Sequence, residues 1–504
     1  MRLDLNALLR QAVALHQEGR LEQARVLYGQ VLERDPKQFD ALHLSGVIER
    51  QHGDPARAAD LIRAALQVDP QQARAHANLG AALNDLGQHA AALDSIDAAL
   101  RLDPRYALAW NNRGNTLRRL GRQPEALDSY ERALALQASY PEAWCHRAIV
   151  LNDLGRHADA AASAEQALGM RAGYADALQA LGNALQALER HPEAVAAYDR
   201  ALAAAPAARQ AEIWCARGAA LKKAGMLEQS LASYEQALRL RPDYAMAEHY
   251  RANVLRALDR REDALQSYRR ARELGADPAG IAFALAALGD GAAPSSAPAD
   301  YVRGLFDQYA GHFDRHLVGT LEYRTPELLS AMLHERLGPQ PALTSALDLG
   351  CGTGLCAPLL RPMAQRLAGV DLSEKMLDKA REGGLYDELA CADIVPWLAG
   401  RRAEWQLVLA ADVLVYFGEL RPLFGGVAQA LRPGGWFAFS VESLGAGSAE
   451  GYAITASNRF AHTEAYVRAC ALTAGLALVE RREAVLRKEH GREVRGLLFL
   501  LNRP

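Results

Sequence analysis

The stretch SALDLGCGTGLCAPLL, residues 345–360, is the part of this chain best suited to grip a small polar ligand. It reads as an apolar strand, a turn with glycine at 350, 352 and 354, and then a helix. Gly350, Gly352 and Gly354 let the main chain bend sharply and approach a nucleotide-like molecule that a Cβ would hold off. Asp371 stands seventeen residues beyond Gly354, at the end of the strand RLAGVD. A carboxylate there can accept hydrogen bonds from both hydroxyls of a ribose. A dinucleotide site uses the same parts, but its G-x-G-x-x-G fingerprint needs a glycine where this chain has Leu355. Asp348, just ahead of the loop, suits an ammonium group better than a pyrophosphate.

The loop and the acid together resemble the class I S-adenosylmethionine-dependent methyltransferase family, and the resemblance covers 301–504. It implies a mostly parallel seven-stranded α/β sheet of Rossmann-like type with a terminal antiparallel hairpin, and S-adenosylmethionine as the cofactor. It also implies roles. Asp348, Gly350, Cys351, Gly352 and Gly354 surround the methionine part, Asp371 holds the ribose, and Leu372 and Met376 in GVDLSEKML flank the adenine. Asp393 in CADI meets the adenine amino group beside Ile394, or is simply a helix cap. Asp412 and Tyr416, at the end of WQLVLAADVLVYFG, border the cofactor and the methyl acceptor, or Asp412 is an ordinary loop residue. The Asn/Asp-Pro-Pro-Tyr motif of adenine and glutamine amide methyltransferases does not occur there, which argues against those acceptors.

The segment YVRGLFDQYAGHFDRHLVGTLEYRTPELL resembles the lid of bacterial methyltransferases that also carry tetratricopeptide repeats. Tyr309 and Phe313 would then close over the cofactor, with His312 or His316 near the acceptor. The other reading is a core aromatic stripe at helical spacing. His462 in NRFAHTEAY is a further pocket candidate. Methyl transfer needs a base only if the acceptor must lose a proton, and His462, His312 and Tyr416 are the candidates.

These residues need a sheet to position them. Apolar runs near 345–349, 367–371, 388–391, 406–411 and 435–441 alternate with helical patterns, which predicts a parallel sheet. Helices are expected at 301–316 and 325–337, and ALVERREAVLRK, a turn at EHGRE and VRGLLFLLNR form the closing hairpin.

The first half follows another rule. A turn residue recurs at Gly19, Gly53, Gly87, Gly121, Gly155, Glu189, Gly225 and Asp259, every 34 residues except for a two-residue insertion near 207–210. Small residues stand seven before and five after each turn, such as Gly46 with Ala58 and Gly182 with Ala194, so tightly packed antiparallel helix pairs repeat along the chain. Tyr28, Tyr130, Tyr198, Tyr234 and Tyr268 fill the next layer, and Pro36, Pro70, Pro104, Pro206 and Pro242 end second helices. The pattern, as in LGRQPEALDSYERALAL, resembles the tetratricopeptide repeat family. That implies an α-helical solenoid of eight repeats over 1–278 whose first helices line a groove for a protein or peptide. Asn115, Arg118, Arg119, Asn152, Asn183, Lys222, Lys223, Asn253 and Arg256 are its candidate groove residues, or a solvated polar face.

Residues 279–300 read as a capping helix followed by a Pro, Ser, Gly and Ala linker, best placed at 290–300. The charges nearly cancel, with 57 Lys and Arg against 60 Asp and Glu, so no nucleic acid partner is expected. No apolar run of membrane-spanning length and no secretory leader is seen, which predicts a cytoplasmic protein without a membrane partner. Six scattered cysteines lack metal-site spacing, so no metal is expected. The leading expectation is an enzyme that methylates a protein, peptide or partner-tethered acceptor recruited by the repeats. The alternatives are a small-molecule methyltransferase with self-associating repeats, and a repeat scaffold with a cofactor-sensing fold.

Overall fold

The computed structural model describes residues 5–310, 313, 321–338, 342–445, 451–455, 457–489 and 492–504, with the side chains of 308, 309 and 492 excepted. The chain divides into two compact units, Met1–Leu258 and Asp259–Pro504.

The first unit is built of antiparallel helix pairs, beginning with Leu5–Gln17 against Leu21–Arg34 and Phe39–Gln51 against Pro55–Val68. The six glycines expected at the turns all have positive φ, between 73° and 86°. Glu189 and Asp259 adopt the same left-handed turn at 61° and 58°, at a cost a side chain normally avoids. Where the small residue before a turn is glycine, it has a bulky isoleucine or tyrosine neighbour. A Cβ on Gly114 would lie 2.4 Å from the Tyr130 ring, and one on Gly182 would lie 2.6 Å from that of Tyr198. Tyr130, Tyr198 and Tyr234 therefore each need the hydrogen of a glycine sixteen residues earlier. The five prolines sit two residues past the last helical residue of their repeats, and the insertion is absorbed by a longer helix, Ala207–Lys223.

The second unit opens with helices Arg261–Glu273 and Pro278–Ala287. Helices Ala299–Tyr309 and Thr325–Leu337 follow, and then the sheet. Its strands are β1 (Leu343–Leu349), β2 (Ala364–Asp371), β3 (Glu388–Cys391), β4 (Trp405–Ala410), β5 (Leu431–Ser443), β6 (Tyr452–Ile454), β7 (Phe460–His462), β8 (Ala477–Glu489) and β9 (Arg492–Asn502). Strands β1 to β5 pair in parallel in the order β3-β2-β1-β4-β5, and the β8–β9 hairpin returns antiparallel beside β5. The seven expected strands are thus joined by two more, the three-residue strands β6 and β7, with β7 also alongside β5. Alternate residues of β1 feed a buried apolar layer on each face, Leu347 and Leu349 on one and Ala346 on the other.

Residues 290–300, which composition reads as a linker, hold fixed places in this unit. The Ser295 carbonyl accepts from the N–H groups of Gly418 and Glu419 at 2.9 and 2.8 Å, and the Ala297 N–H donates to the Tyr416 carbonyl at 2.8 Å. Ser296 pairs antiparallel with Phe417. The preceding helix is anchored by Phe283, which is 1% exposed and lies 5.3 Å from the Tyr301 ring and 5.9 Å from that of Phe460.

No helix among the described residues is long and apolar enough to cross a membrane. Phe283→Ala in the full chain is expected to destabilise the second unit by about 3–5 kcal/mol in chemical denaturation. A loss below about 1 kcal/mol would show that this helix is not part of the unit's core.

Candidate active site

The turn after β1 is clamped onto β2. The N–H groups of Gly350 and Cys351 both donate to the Val370 carbonyl, at 2.7 and 3.1 Å. Gly350 has φ 66°, and a Cβ on it would fall 2.4 Å from Cγ2 of Val413. Gly352, at φ 55°, directs its N–H to Oδ2 of Asp371 at 2.9 Å. The other oxygen, Oδ1, accepts from the Ser373 N–H at 2.8 Å. Burial pushes the Asp371 carboxyl up, and these backbone donors pull it back down. Each oxygen can still accept a second hydrogen bond. Ser373 in turn caps helix Glu374–Gly383 and donates its hydroxyl to Asp307, which ties helix Ala299–Tyr309 to the end of β2.

A cavity opens above these strand ends, with about 1190 Å³ of space between atoms, its mouth included. The lining brings together Gly350, Cys351, Gly352, Asp371, Leu372, Met376, Asp393, Ile394, Asp412 and Tyr416 from the sequence reading. Asp393 caps helix Ile394–Leu398 through the Val395 N–H at 3.0 Å and also borders the cavity. Phe313 also lines it, edge-on to Phe306 at 5.9 Å.

Other expectations fare differently. Asp348 is not among the lining residues; it is 1% exposed and accepts the Tyr386 hydroxyl at 2.6 Å. Burial raises its carboxyl to about 7. Gly354 is likewise off the lining, beside Tyr386. His462 is a correction: it is fully buried in β7, with Nε2 3.3 Å from the Gly418 carbonyl, and burial lowers it to about 4. It does not reach the cavity and cannot act there as a base. The Tyr309 side chain, His312 and His316 lie outside the described residues.

The wall beyond β4 holds a charged cluster. Asp412 has φ 55°, a left-handed conformation that asparagine and aspartate adopt more readily than other side chains. Its N–H donates to Ser440 Oγ at 2.9 Å, and that hydroxyl donates back to Oδ1. Arg487, 2% exposed, donates to Asp412 at 2.7 Å, to Glu489 at 2.8 Å and to Glu442. Arg459 pairs with Glu489 and lies 3.8 Å from Glu442. Tyr416 packs edge-on to Phe306 at 5.6 Å, and burial pushes its phenol up while Arg459 opposes the rise. Sequence reasoning missed Tyr386, Arg459 and Arg487, because each meets at least one partner across a long stretch of chain.

In the first unit the expected groove residues all stand on first helices. Asn115 and Asn183 accept the hydroxyls of Tyr130 and Tyr198 at 2.8 and 2.7 Å, and Asn152 donates to the Ala180 carbonyl at 2.9 Å. These amides hold neighbouring helices. Arg119, Lys222 and Lys223 are exposed and Arg118 is half-buried. Although its side chain is exposed, partial desolvation by surrounding protein, and then the neighbouring Arg256, lower the Lys222 ammonium. Asn253 stands on the same helix as Arg256.

Comparison with known proteins agrees with this division. A methyltransferase domain model matches residues 346–435, and tetratricopeptide repeat models match segments from 6 to 244. The chain is 42% identical over 86 residues to methyltransferase-like protein 27 of Homo sapiens, a match covering 17% of this chain and 35% of that one. It is 30% identical over 98 residues to the ubiquinone biosynthesis O-methyltransferase of Thiobacillus denitrificans, covering 19% and 42%. It is 35% identical over 112 residues to the trans-aconitate 2-methyltransferase of Paracidovorax citrulli, covering 21% and 43%. The chain thus spans less than half the length of these curated relatives. It joins an N-terminal tetratricopeptide repeat array to a class I methyltransferase-like domain, a fold whose cofactor is S-adenosylmethionine.

Gly350→Ala forces a methyl into Val413 at a left-handed position and is expected to weaken S-adenosylmethionine binding at least tenfold by calorimetry, equivalent to about 1.4 kcal/mol. Unchanged affinity would mean that the ligand does not rest on this turn. Asp348→Asn keeps an acceptor for Tyr386 and removes a buried charge. Because the folded carboxyl is raised, wild-type stability is highest below the unfolded value near 4 and falls as pH rises through about 7. The variant is therefore expected to be the more stable protein at pH 8, by up to about 4 kcal/mol, with the difference vanishing near pH 4. A difference independent of pH would rule out titration of this carboxyl.

Proposed function

We propose that this chain transfers a methyl group from S-adenosylmethionine to a small-molecule acceptor held in the cavity of the second unit. The observation that carries this reading is the cavity itself. Its floor is the glycine turn and Asp371, and its walls are the 295–297 strap, helix Ala299–Tyr309 and the Tyr416–Phe417 turn. Such an enclosure suits a small acceptor better than a segment of a folded protein. The relatives' names point the same way, since they speak of ubiquinone biosynthesis and of trans-aconitate. The repeats then serve self-association or bind a partner protein or peptide, with Arg118, Arg119, Lys222 and Lys223 as the groove cations. This reading replaces a recruited protein substrate as the better supported one.

Residues at the ends of β1 to β3 fit the cofactor. The turn at 350–352 presents bare main chain at the cavity wall, Asp371 can accept from ribose hydroxyls, and Leu372, Met376 and Ile394 offer apolar contact to the adenine. When bound, S-adenosylmethionine supplies a methyl carbon whose bond to sulfur breaks as the acceptor's lone pair reaches it, the electron pair leaving with sulfur. The protein's contribution is alignment and exclusion of water, which Phe306, Phe313 and Phe417 provide around the reaction centre. Tyr416 and Asp412 border the acceptor side. Tyr416, its phenol raised by burial, is a hydrogen-bond donor there, and Asp412 is held by Arg487 as an acceptor.

Incubation of the full-length protein with methyl-labelled cofactor, a protein-free low-mass extract and, separately, a protein fraction tests this. Label is expected in low-mass products. Label confined to protein would overturn the small-molecule reading. Light scattering with and without residues 1–258 bears on the repeats, since self-association predicts a smaller particle without them.

A further inference from the structure

The acceptor half of the cavity carries a charge pattern that methyl transfer alone does not require. The strand order places Asp371 and Asp393, at the ends of β2 and β3, on one side of β1, and Asp412 and Arg459, after β4 and before β7, on the other. Two arginines line that second half, and they are placed differently. Arg487 is spent internally, because its Nη1, Nη2 and Nε all donate to carboxylates, of Asp412, Glu442 and Glu489. Arg459 donates to a carboxylate through Nη1 only, to Glu489, which already serves Arg487. Among the described residues neither its Nε nor its Nη2 is hydrogen-bonded to a carboxylate. Its side chain is 23% exposed.

Glu442 and Glu489 do not line the cavity, whereas Arg459 does, beside Tyr416 and Phe417. Burial pushes the Glu442 carboxyl up, and Arg487 and then Arg459 pull it back down. A guanidinium at the wall of a largely apolar cavity, bonded to a carboxylate through Nη1 alone and to the Tyr416 hydroxyl beside it, can turn its remaining N–H groups to the planar fork of a carboxylate. The low local dielectric strengthens that pairing. We propose that Arg459 binds a carboxylate of the methyl acceptor, so that the acceptor is a carboxylate-bearing small molecule. This rests on the methyltransferase reading above. Tyr416, next to Arg459, is placed to donate to the same group, while the atom to be methylated lies towards the glycine turn.

The test uses the full-length protein, methyl-labelled S-adenosylmethionine and a protein-free low-mass extract split on an anion-exchange resin, each fraction with and without alkaline phosphatase. Label is expected from the retained anionic fraction and is unaffected by phosphatase. Arg459→Gln is expected to lower incorporation at limiting extract about 10- to 100-fold, the loss of one or two charge-assisted hydrogen bonds, with calorimetric affinity for S-adenosylmethionine unchanged. Arg459→Lys keeps the charge without the fork and is expected to recover part of the loss. Incorporation from the unretained fraction, its loss on phosphatase treatment, or a Gln variant equal to the parent at limiting extract would each overturn the inference. No label from any fraction, by protein that binds the cofactor, would sink the small-molecule reading and this inference with it.

Discussion

Close contact between the backbone at Gly350 and the side chain of Val413 is the constraint on which the second unit's chemistry depends. Val413 follows β4, and Gly350 follows β1, its paired neighbour. With both in place, the turn has no room for a Cβ, and main-chain N–H groups are brought to the Val370 carbonyl and the Asp371 carboxylate. A tight turn of this kind fixes two strand ends at once. One gives the carboxylate of Asp371, and the other gives Asp412, whose own backbone is left-handed. Local strain of this kind persists only where the surroundings over-determine it, and here ladder hydrogen bonds and a buried apolar layer on each face of the sheet supply that support.

The strap at 295–297 extends the same logic to the cavity's outer wall. Its backbone bonds to Tyr416, Gly418 and Glu419 hold the turn that carries Tyr416, and Phe283 and Tyr301 wedge the flanking helices against Phe460. Phe460 begins β7, and the residue before it is Arg459. The segment that closes the cavity and Arg459, which lines it, are thus both tied to one buried aromatic cluster, through Ala297 and through Phe460.

Much of this was legible in the sequence, for reasons that differ by element. The repeats were readable because their period recurs in one dimension. A glycine, a small residue and a tyrosine at fixed offsets need no knowledge of distant chain, and even Glu189 and Asp259 were placed by the period alone. The glycine turn, Asp371 and Asp393 were readable because a single β-turn-helix unit and its successors set them. Strands β6 and β7 were not, since three residues carry no alternation to detect. Asp348 was found but misread in its surroundings, because its partner Tyr386 lies 38 residues away. His462 looked like a base by residue type, and only the burial of β7 shows otherwise.

The ionic cluster shows where sequence reasoning ends. In ALVERREAVLRKE, Arg487 looks like one of many charges on an exposed strand, yet it is almost wholly buried among three carboxylates contributed by β5, β8 and the loop after β4. Removing one member of such a cluster would strand a charge in apolar surroundings, so the cluster is held together by mutual need more than by net gain. That interdependence separates the two arginines by role. Arg487 is locked by partners on three sides and serves the fold, whereas Arg459 shares carboxylates that are already engaged and keeps donors uncommitted to any of them at the wall of the cavity. Two side chains of one type, set beside the same two acids, therefore differ in how many of their hydrogen bonds to carboxylates the protein itself consumes, and that difference is what the proposed role of Arg459 rests on.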